Sequence, residues 1–190
     1  MLIAFEGGEG TGKSTQAALL AARLDAVLTH EPGAGLPLIR SLLLDSSTSV
    51  SPEAEALLMA ADRAEHAARV VQPALKAGRH VVTDRYLYSS LAYQGFGRGL
   101  SLDWVRSLSA FAPEADVVVL LTVPPTVRSS RLDRELDRFE SDPDFLTRVE
   151  DGFLELAKGD PDRWVVLEGD GPVEDVAARV WEAVSARLPG

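Results

Sequence analysis

Phe5-Glu6-Gly7-Gly8-Glu9-Gly10-Thr11-Gly12-Lys13-Ser14-Thr15-Gln16 is the most informative run in the chain. Gly7, Gly12, Lys13 and Ser14 satisfy the G-x-x-x-x-G-K-[ST] pattern of a phosphate-binding loop. Leu2-Ile3-Ala4-Phe5 before it reads as a short buried strand, and Ala17, Leu20, Ala21 and Leu24 after it fall at helical spacing. Glycines let a backbone bend round a triphosphate and point N–H groups inward, while the helix that follows aims its unpaired donors and positive end at the same anion. On that physics Gly7, Gly8, Glu9, Gly10, Thr11, Gly12, Lys13, Ser14 and Thr15 are the candidate ATP-binding residues. Lys13 is expected on the β- and γ-phosphates and the Ser14 hydroxyl on Mg²⁺. A glycine-rich turn joining a strand to a helix is the plain alternative.

Working outward, β-rich runs at 2–6, 26–29, 80–84, 116–123 and 163–167 alternate with helical stretches. This predicts an α/β fold with a five-stranded parallel sheet covered by helices on both faces. The central three of these runs, 26–29, 80–84 and 116–123, are nearly all apolar, as strands buried on both sides should be. The longest helix is expected over 51–71, with Ser51 as N-cap, Pro52 in the first turn, Glu53 and Glu55 near the positive end, and an interruption or kink at Pro73. Its apolar positions, Ala54, Leu57, Leu58, Ala61, Ala64, Ala68 and Val71, cover more than one stripe. Such a helix is buried against its own sheet and a second subunit, or is a plain core helix.

Ligands of open parallel sheets gather at the carboxyl ends of the strands. There lie the phosphate loop, Thr29-His30-Glu31-Pro32-Gly33 and Asp84-Arg85-Tyr86, which should face one crevice. Asp84 is the candidate carboxylate for the Mg²⁺ shell; Asp116 opens its strand and so lies at the wrong end. Arg85 beside it can clamp a second phosphate in bidentate fashion, against the simpler reading of a local salt bridge.

The bulk properties narrow the possibilities. One domain is expected from 190 residues, and the absence of cysteine excludes disulfides, thiolate zinc sites and thiol nucleophiles. A net charge of −10 argues against a nucleic-acid polymer as partner. No leader or eighteen-residue apolar run appears, which predicts a cytoplasmic protein with no membrane partner.

At this point the residues resemble a family. Asp84-Arg85-Tyr86-Leu87-Tyr88-Ser89-Ser90-Leu91-Ala92-Tyr93-Gln94-Gly95 is similar to the D-R-Y-x-x-S-S-x-A-Y-Q-G signature of thymidylate kinases. The loop, Glu31-Pro32-Gly33, Ala60-x-x-Arg63-x-Glu65-His66, Arg98-Gly99-Leu100 and Leu136-Asp137-Arg138-x-Glu140 resemble its other blocks. The resemblance implies the P-loop nucleoside-monophosphate-kinase fold, Mg²⁺ dependence, a homodimer packed through long helices, and transfer of the γ-phosphoryl group of ATP to dTMP. It implies an acceptor-binding region at about 30–70 and a lid at about 128–142. Residue by residue it puts Arg85 and Arg40 on the acceptor phosphate, Arg63 and Gln94 on the thymine edge, Glu9 and Tyr93 near the deoxyribose, and Ser90 near the base.

Arg128, Arg131, Arg134 and Arg138 would share one helical face, as a salt-bridged solvated helix or as a mobile lid that presents an arginine to the transferring group. One subgroup of the family carries an arginine in the loop at the place of Gly10. With glycine there, the resemblance assigns the charge to the lid, Arg134 and Arg138 ahead of Arg131 and Arg128. Met59 stands where the family has a phenylalanine that stacks on thymine, which predicts weaker dTMP affinity with the same reaction; a core role on an apolar helix is the alternative. His30 replaces a common arginine and is read as structural. The rivals are a deoxynucleoside kinase, with Glu9 as base for a neutral hydroxyl, a kinase for another nucleotide, and an ATP-gated binding module. A GTP switch would need an Asn-Lys-x-Asp motif, and the chain contains no Asn. The loop 169–172 is the expected adenine contact.

Overall fold

The structure is a computed structural model that describes residues 1–45, 50–131 and 142–188. In chain order it runs β1 (Leu2–Glu6), α1 (Lys13–Leu24), β2 (Val27–His30), α2 (Pro37–Leu44), α3 (Pro52–His66), α4 (Gln72–Lys76), β3 (Val81–Asp84), α5 (Leu87–Ser90), α6 (Leu102–Ser107), β4 (Val117–Thr122), α7 (Pro125–Arg131), α8 (Pro143–Gly159), β5 (Trp164–Glu168) and α9 (Val173–Ser185). All five strands are parallel, as the alternation of strand and helix predicts; their order is β2-β3-β1-β4-β5, so β2 is an edge strand with Leu28 and His30 exposed and not one buried on both sides.

Alternation along β1 divides the core in two. Ile3 and Phe5 point to the face covered by α1 and α9, where they meet Ala17, Leu20, Val176 and Val180. Leu2 and Ala4 point to the other face, towards Leu91, Phe145, Val149 and Phe153. Every β1 residue is buried, because the central strand has a helical layer on both sides. The order puts β1 between β3 and β4, so the loop after β1 and the Asp84-Arg85 turn after β3 emerge side by side.

Two expectations for the long helix change. Ser51 caps α3 as expected, its side chain accepting from the Ala54 N–H. The interruption comes before Pro73: α3 ends at His66, a π turn over Ala67–Val71 widens the backbone, and Pro73 then falls at the start of α4, where a missing N–H costs little. Second, the face turned inward carries four polar residues among small apolar ones. Glu55, Asp62, Arg63 and His66 are buried, while Leu57, Ala61 and Ala68 are exposed. Val71 is fully buried and Ala54, Leu58 and Ala64 are half-buried, so the apolar positions are divided between the interior and the outside of this chain.

Asp62 fixes α3 to the loop after β2, its two carboxylate oxygens accepting from the N–H groups of Gly33, Gly35 and Leu36 at 2.7, 3.1 and 2.6 Å. That grip needs a glycine at 35. A Cβ there would stand 2.1 Å from the Asp62 carbonyl oxygen and 2.6 Å from the His66 nitrogen, both helix backbone that cannot yield. Gly35→Ala should destabilise the protein by about 3 kcal/mol, measured by chemical denaturation. Parental stability would mean that the loop packs elsewhere.

Candidate active site

The phosphate loop curls as its glycines require. Gly7 has φ of +133°, and a Cβ on it would lie 2.3 Å from the Leu121 carbonyl oxygen of β4, so only glycine lets the loop start this close to the sheet. Thr11 Oγ1 and Lys13 Nζ both donate to the Gly8 carbonyl, at 2.9 and 2.6 Å. Ser14 and Thr15 are exposed at the start of α1, and Glu9, Gly10 and Gly12 are half-buried around the loop.

Arg85 closes the loop from the β3 side. It adopts φ of +68°, a left-handed backbone in a residue with a Cβ, which turns its side chain back over β1. Nη1 donates to the Gly7 carbonyl and to Ser89 Oγ, both at 3.1 Å. Nη2 donates to Glu9 Oε1 at 2.5 Å and to Tyr93 Oη at 3.3 Å, with the guanidinium 5.2 Å from the Tyr93 ring centroid. Two cations are thus anchored on the adjacent carbonyls of Gly7 and Gly8. Burial and the nearby Arg85 lower the Lys13 pKa to about 8 against the opposite pull of Glu9, Asp84 and Glu6.

That value gives a binding signature. Lys13 is about half neutral at pH 8, and an incoming polyphosphate favours its charged form. ATP binding should therefore take up about half a proton at pH 8 and about a tenth at pH 7, and its affinity should fall as pH rises further. Calorimetry in two buffers of different ionisation enthalpy measures the uptake. Heats independent of buffer at pH 8 would contradict it.

Asp84 ends β3 beside the start of α1. Its Oδ2 accepts the Ser14 hydroxyl, and its buried Oδ1 has no hydrogen-bond partner. A buried carboxylate oxygen left over next to a phosphate loop is the feature a hard cation would satisfy, so the two predicted ligands fit Mg²⁺. Among the described residues no three His, Cys, Asp or Glu side chains cluster as a protein-only metal cage. Mg²⁺ in nucleotide sites takes one or two protein ligands and completes its shell with phosphate and water.

Behind Arg85 lies a buried polar wall. Arg63 is 2 % exposed; Nε donates to Glu31 Oε2 at 2.9 Å, Nη1 to Ser109 Oγ at 2.9 Å, and Nη2 to Ser90 Oγ at 3.0 Å and the Tyr86 carbonyl at 3.3 Å. The other Glu31 oxygen accepts from His66 Nδ1 at 2.8 Å, and His66 Nε2 meets Thr29 Oγ1 at 2.8 Å. Gln94 is buried and donates to Glu55 Oε1 at 2.9 Å, and Arg98 Nη2 donates to Glu55 Oε2 at 3.1 Å. Met59 and Tyr93 are half-buried against the same apolar cluster. Arg40 is exposed on α2, its Nη1 donating to the Pro32 carbonyl at 3.0 Å.

The structure joins Arg85, Glu9 and Tyr93 through hydrogen bonds, pairs Ser14 with Asp84, and holds Lys13 on the Gly8 carbonyl within electrostatic reach of Arg85, Glu9 and Asp84. It joins Arg63 directly to Ser90, and holds Gln94 and Arg40 on separate partners. Arg134 and Arg138 lie outside the described residues. The two arginines placed behind them are described, and both stand at the loop. Arg128 pairs with Glu150, and its Cγ is 3.2 Å from where a Gly10 Cβ would be. Arg131 Nη1 bridges the carbonyls of Gly10 at 3.1 Å and Gly169 at 3.0 Å, tying the phosphate loop to the loop after β5. Sequence reasoning missed Glu6, Glu55, Asp62, Ser89 and Ser109. Glu55 looked like a helix-end charge, whereas it is fully buried as the acceptor for Gln94 and Arg98. Ser89 stood in the quoted signature, and that was the signal available for it.

The chain is similar to known proteins. The family model for thymidylate kinase matches residues 5–180. A thymidylate kinase from a Synechococcus species is 45% identical over 201 residues, covering 100% of this chain and 96% of its own. The thymidylate kinase of Deinococcus radiodurans is 42% identical, covering 98% and 97%. The crystal structure of thymidylate kinase from Ehrlichia chaffeensis superposes with a TM-score of 0.81 at 29% identity, covering 97% of this chain and 98% of that one.

Proposed function

This chain belongs to the thymidylate kinase family and phosphorylates dTMP to dTDP with ATP, and we propose that Lys13 and Arg85 are the two cations that bring donor and acceptor phosphates together. The observation that supports this most is their anchoring on neighbouring carbonyls, Lys13 on Gly8 and Arg85 on Gly7. The amides of Gly7 to Thr15 and Lys13 cradle the ATP phosphates. Arg85 holds the dTMP phosphate in line with the γ-phosphorus, and Arg40 on α2 supplies a second cation for that phosphate.

An oxygen of that phosphate attacks, the bond from the γ-phosphorus to the β–γ bridging oxygen breaks, and ADP leaves. The acceptor's second pKa is about 6, so it arrives ionised and no general base is needed. The residues' task is electrostatic: two anions repel, and Lys13, Arg85 and a lid arginine offset that repulsion. Arg134 and Arg138 remain the lid candidates; Arg128 and Arg131 hold the base of the lid against the loop. Ser14 and Asp84 hold Mg²⁺, which supplies further charge neutralisation at the transferring phosphate when bound.

Arg63, Ser90 and Gln94 form the polar wall for the base, with Met59 covering it, while Glu9 and Tyr93 border the sugar. The loop 169–172 contacts adenine. Two copies associate through the exposed positions Leu57 and Ala61 of α3 and Ala68 of the π turn after it. The protein works in the cytoplasm; no helix among the described residues is long and apolar enough to cross a membrane.

A coupled ADP-release assay with dTMP, dUMP, dCMP, dGMP and thymidine as acceptors tests the reading of the pocket. Preference for dTMP by at least about tenfold in kcat/KM is expected, since an acceptor site built from buried hydrogen-bonding groups rejects mismatched bases. Thymidine turned over as fast as dTMP would remove the acceptor phosphate, and with it Arg85, from the mechanism.

A further inference from the structure

Glu6 is the last residue of β1 and is fully buried, one step before the phosphate loop. A carboxylate there is costly unless its oxygens are occupied. Its Oε1 accepts from the Tyr86 and Ser89 N–H groups at 2.9 and 3.2 Å, and its Oε2 accepts the Ser89 hydroxyl at 2.6 Å. It thereby does for the start of α5 what an N-cap side chain does elsewhere, from a strand eighty residues away in sequence. The turn it fixes is the one in which Arg85 takes its left-handed backbone.

Ser89 carries the effect onward. A hydroxyl has one hydrogen and two lone pairs. With the hydrogen directed to Glu6 Oε2, a lone pair is left facing Arg85 Nη1, which donates to it at 3.1 Å. The guanidinium is then held between Ser89 Oγ, the Gly7 carbonyl and Glu9.

We propose that Glu6 and Ser89 are a positioning pair for this reaction: the carboxylate orients the Ser89 hydroxyl, and the hydroxyl aims Arg85 at the acceptor phosphate. The inference rests on the reading of Arg85 given above and adds to it two residues that touch no substrate. The charge state of Glu6 bears on the pair. Burial pushes its carboxyl up to about 7, against the opposing pull of the Ser89 hydroxyl, the Arg85 charge and the two backbone N–H groups. Arg85 after β3 and Lys13 at the start of α1 are the charged groups that act on it, and its register partner on β4 is the apolar Leu120. Once protonated, Glu6 no longer accepts the Ser89 hydrogen and loses the charge that attracts Arg85, so the hydroxyl is free to turn its hydrogen towards the guanidinium and loosen it.

Steady-state kinetics from about pH 6 to pH 9, with ATP saturating and dTMP varied, tests the pair using Ser89→Ala, Glu6→Gln and Arg85→Ala. Ser89→Ala should raise KM for dTMP about tenfold, a lost charge-assisted hydrogen bond, with KM for ATP within about twofold of the parent. Glu6→Gln should raise it similarly and also lose the limb near pH 7 in kcat/KM, keeping only the lower limb of the dTMP phosphate itself at about 6. Parental KM values and an unshifted profile in both variants, with Arg85→Ala impaired, would overturn the pair and leave the reading of Arg85 standing. If Arg85→Ala itself binds dTMP like the parent, that reading fails and the inference with it. Should Glu6→Gln not fold, Ser89→Ala decides alone, because it retains both backbone bonds to Glu6.

Discussion

Arg85→Ala should lower kcat/KM for dTMP by about 10²–10³-fold, the loss typical when one preorganised donor to a developing charge is removed. The structure gives the reason. Arg85 is the cation that faces Glu9 and stands over Tyr93, and it is fixed at both Nη1 and Nη2. Burial works against its charge, but Tyr93, Glu9 and Asp84 more than offset this and keep it protonated throughout the working range. Removing it leaves the carboxylates of Glu9 and Asp84 facing an acceptor that carries negative charge of its own. KM for dTMP should rise and KM for ATP should change much less, because Lys13 and the loop amides are untouched. Arg85→Lys should recover little, since a point charge cannot make the four contacts of the planar fork. Turnover within about threefold of the parent would end the two-cation mechanism.

The second large effect concerns folding. Arg63→Met keeps the volume but strips the cation from a site where Arg63 and Glu31 are 2 % and 5 % exposed. Breaking a buried pair from one side costs about 3–5 kcal/mol, because the remaining charge stays buried without its partner. Here Glu31 would lose Arg63 and keep His66, and Ser109, Ser90 and the Tyr86 carbonyl would each lose a donor. A fall in Tm of roughly 10 °C is expected for a chain of this size. Glu31→Gln added to Arg63→Met should restore part of the loss, since neutralising both partners is gentler than orphaning one. A double variant less stable than the single would show that Arg63 matters through packing and its neutral partners, not through the pair with Glu31.

Much of this protein is written locally. The loop from Gly7 to Ser14 is legible because each residue type meets a constraint of its own few neighbours: glycines at left-handed positions, a lysine able to reach back, a hydroxyl opening a helix. The strands are legible because burial on both faces leaves little but apolar side chains, and from their alternation with helices follows the parallel sheet. The crevice follows in turn, since parallel strands end on one side.

The interior of the acceptor wall was not legible. Along α3 and the π turn after it, Leu57, Ala61 and Ala68, which look like part of a core face, point outward, and Glu55, Asp62, Arg63 and His66 point inward. Periodicity assigns polar residues to solvent because it counts only neighbours on the same helix. These four are stable inside because their partners, Gln94, the Gly33–Leu36 amides, Glu31 and Thr29, arrive from segments some 26 to 39 residues away. Glu6 is the extreme case, an acidic residue in a central strand whose hydrogen-bond donors lie 80 and 83 residues further on. Residue order alone determined the phosphate loop, the sheet and the side of it on which chemistry occurs, since those depend on spacing along the chain. Which carboxylates are buried, which cation each one steadies and where Arg85 points were decided only when distant segments met, because a buried charge is tolerated solely by partners that the folded chain supplies.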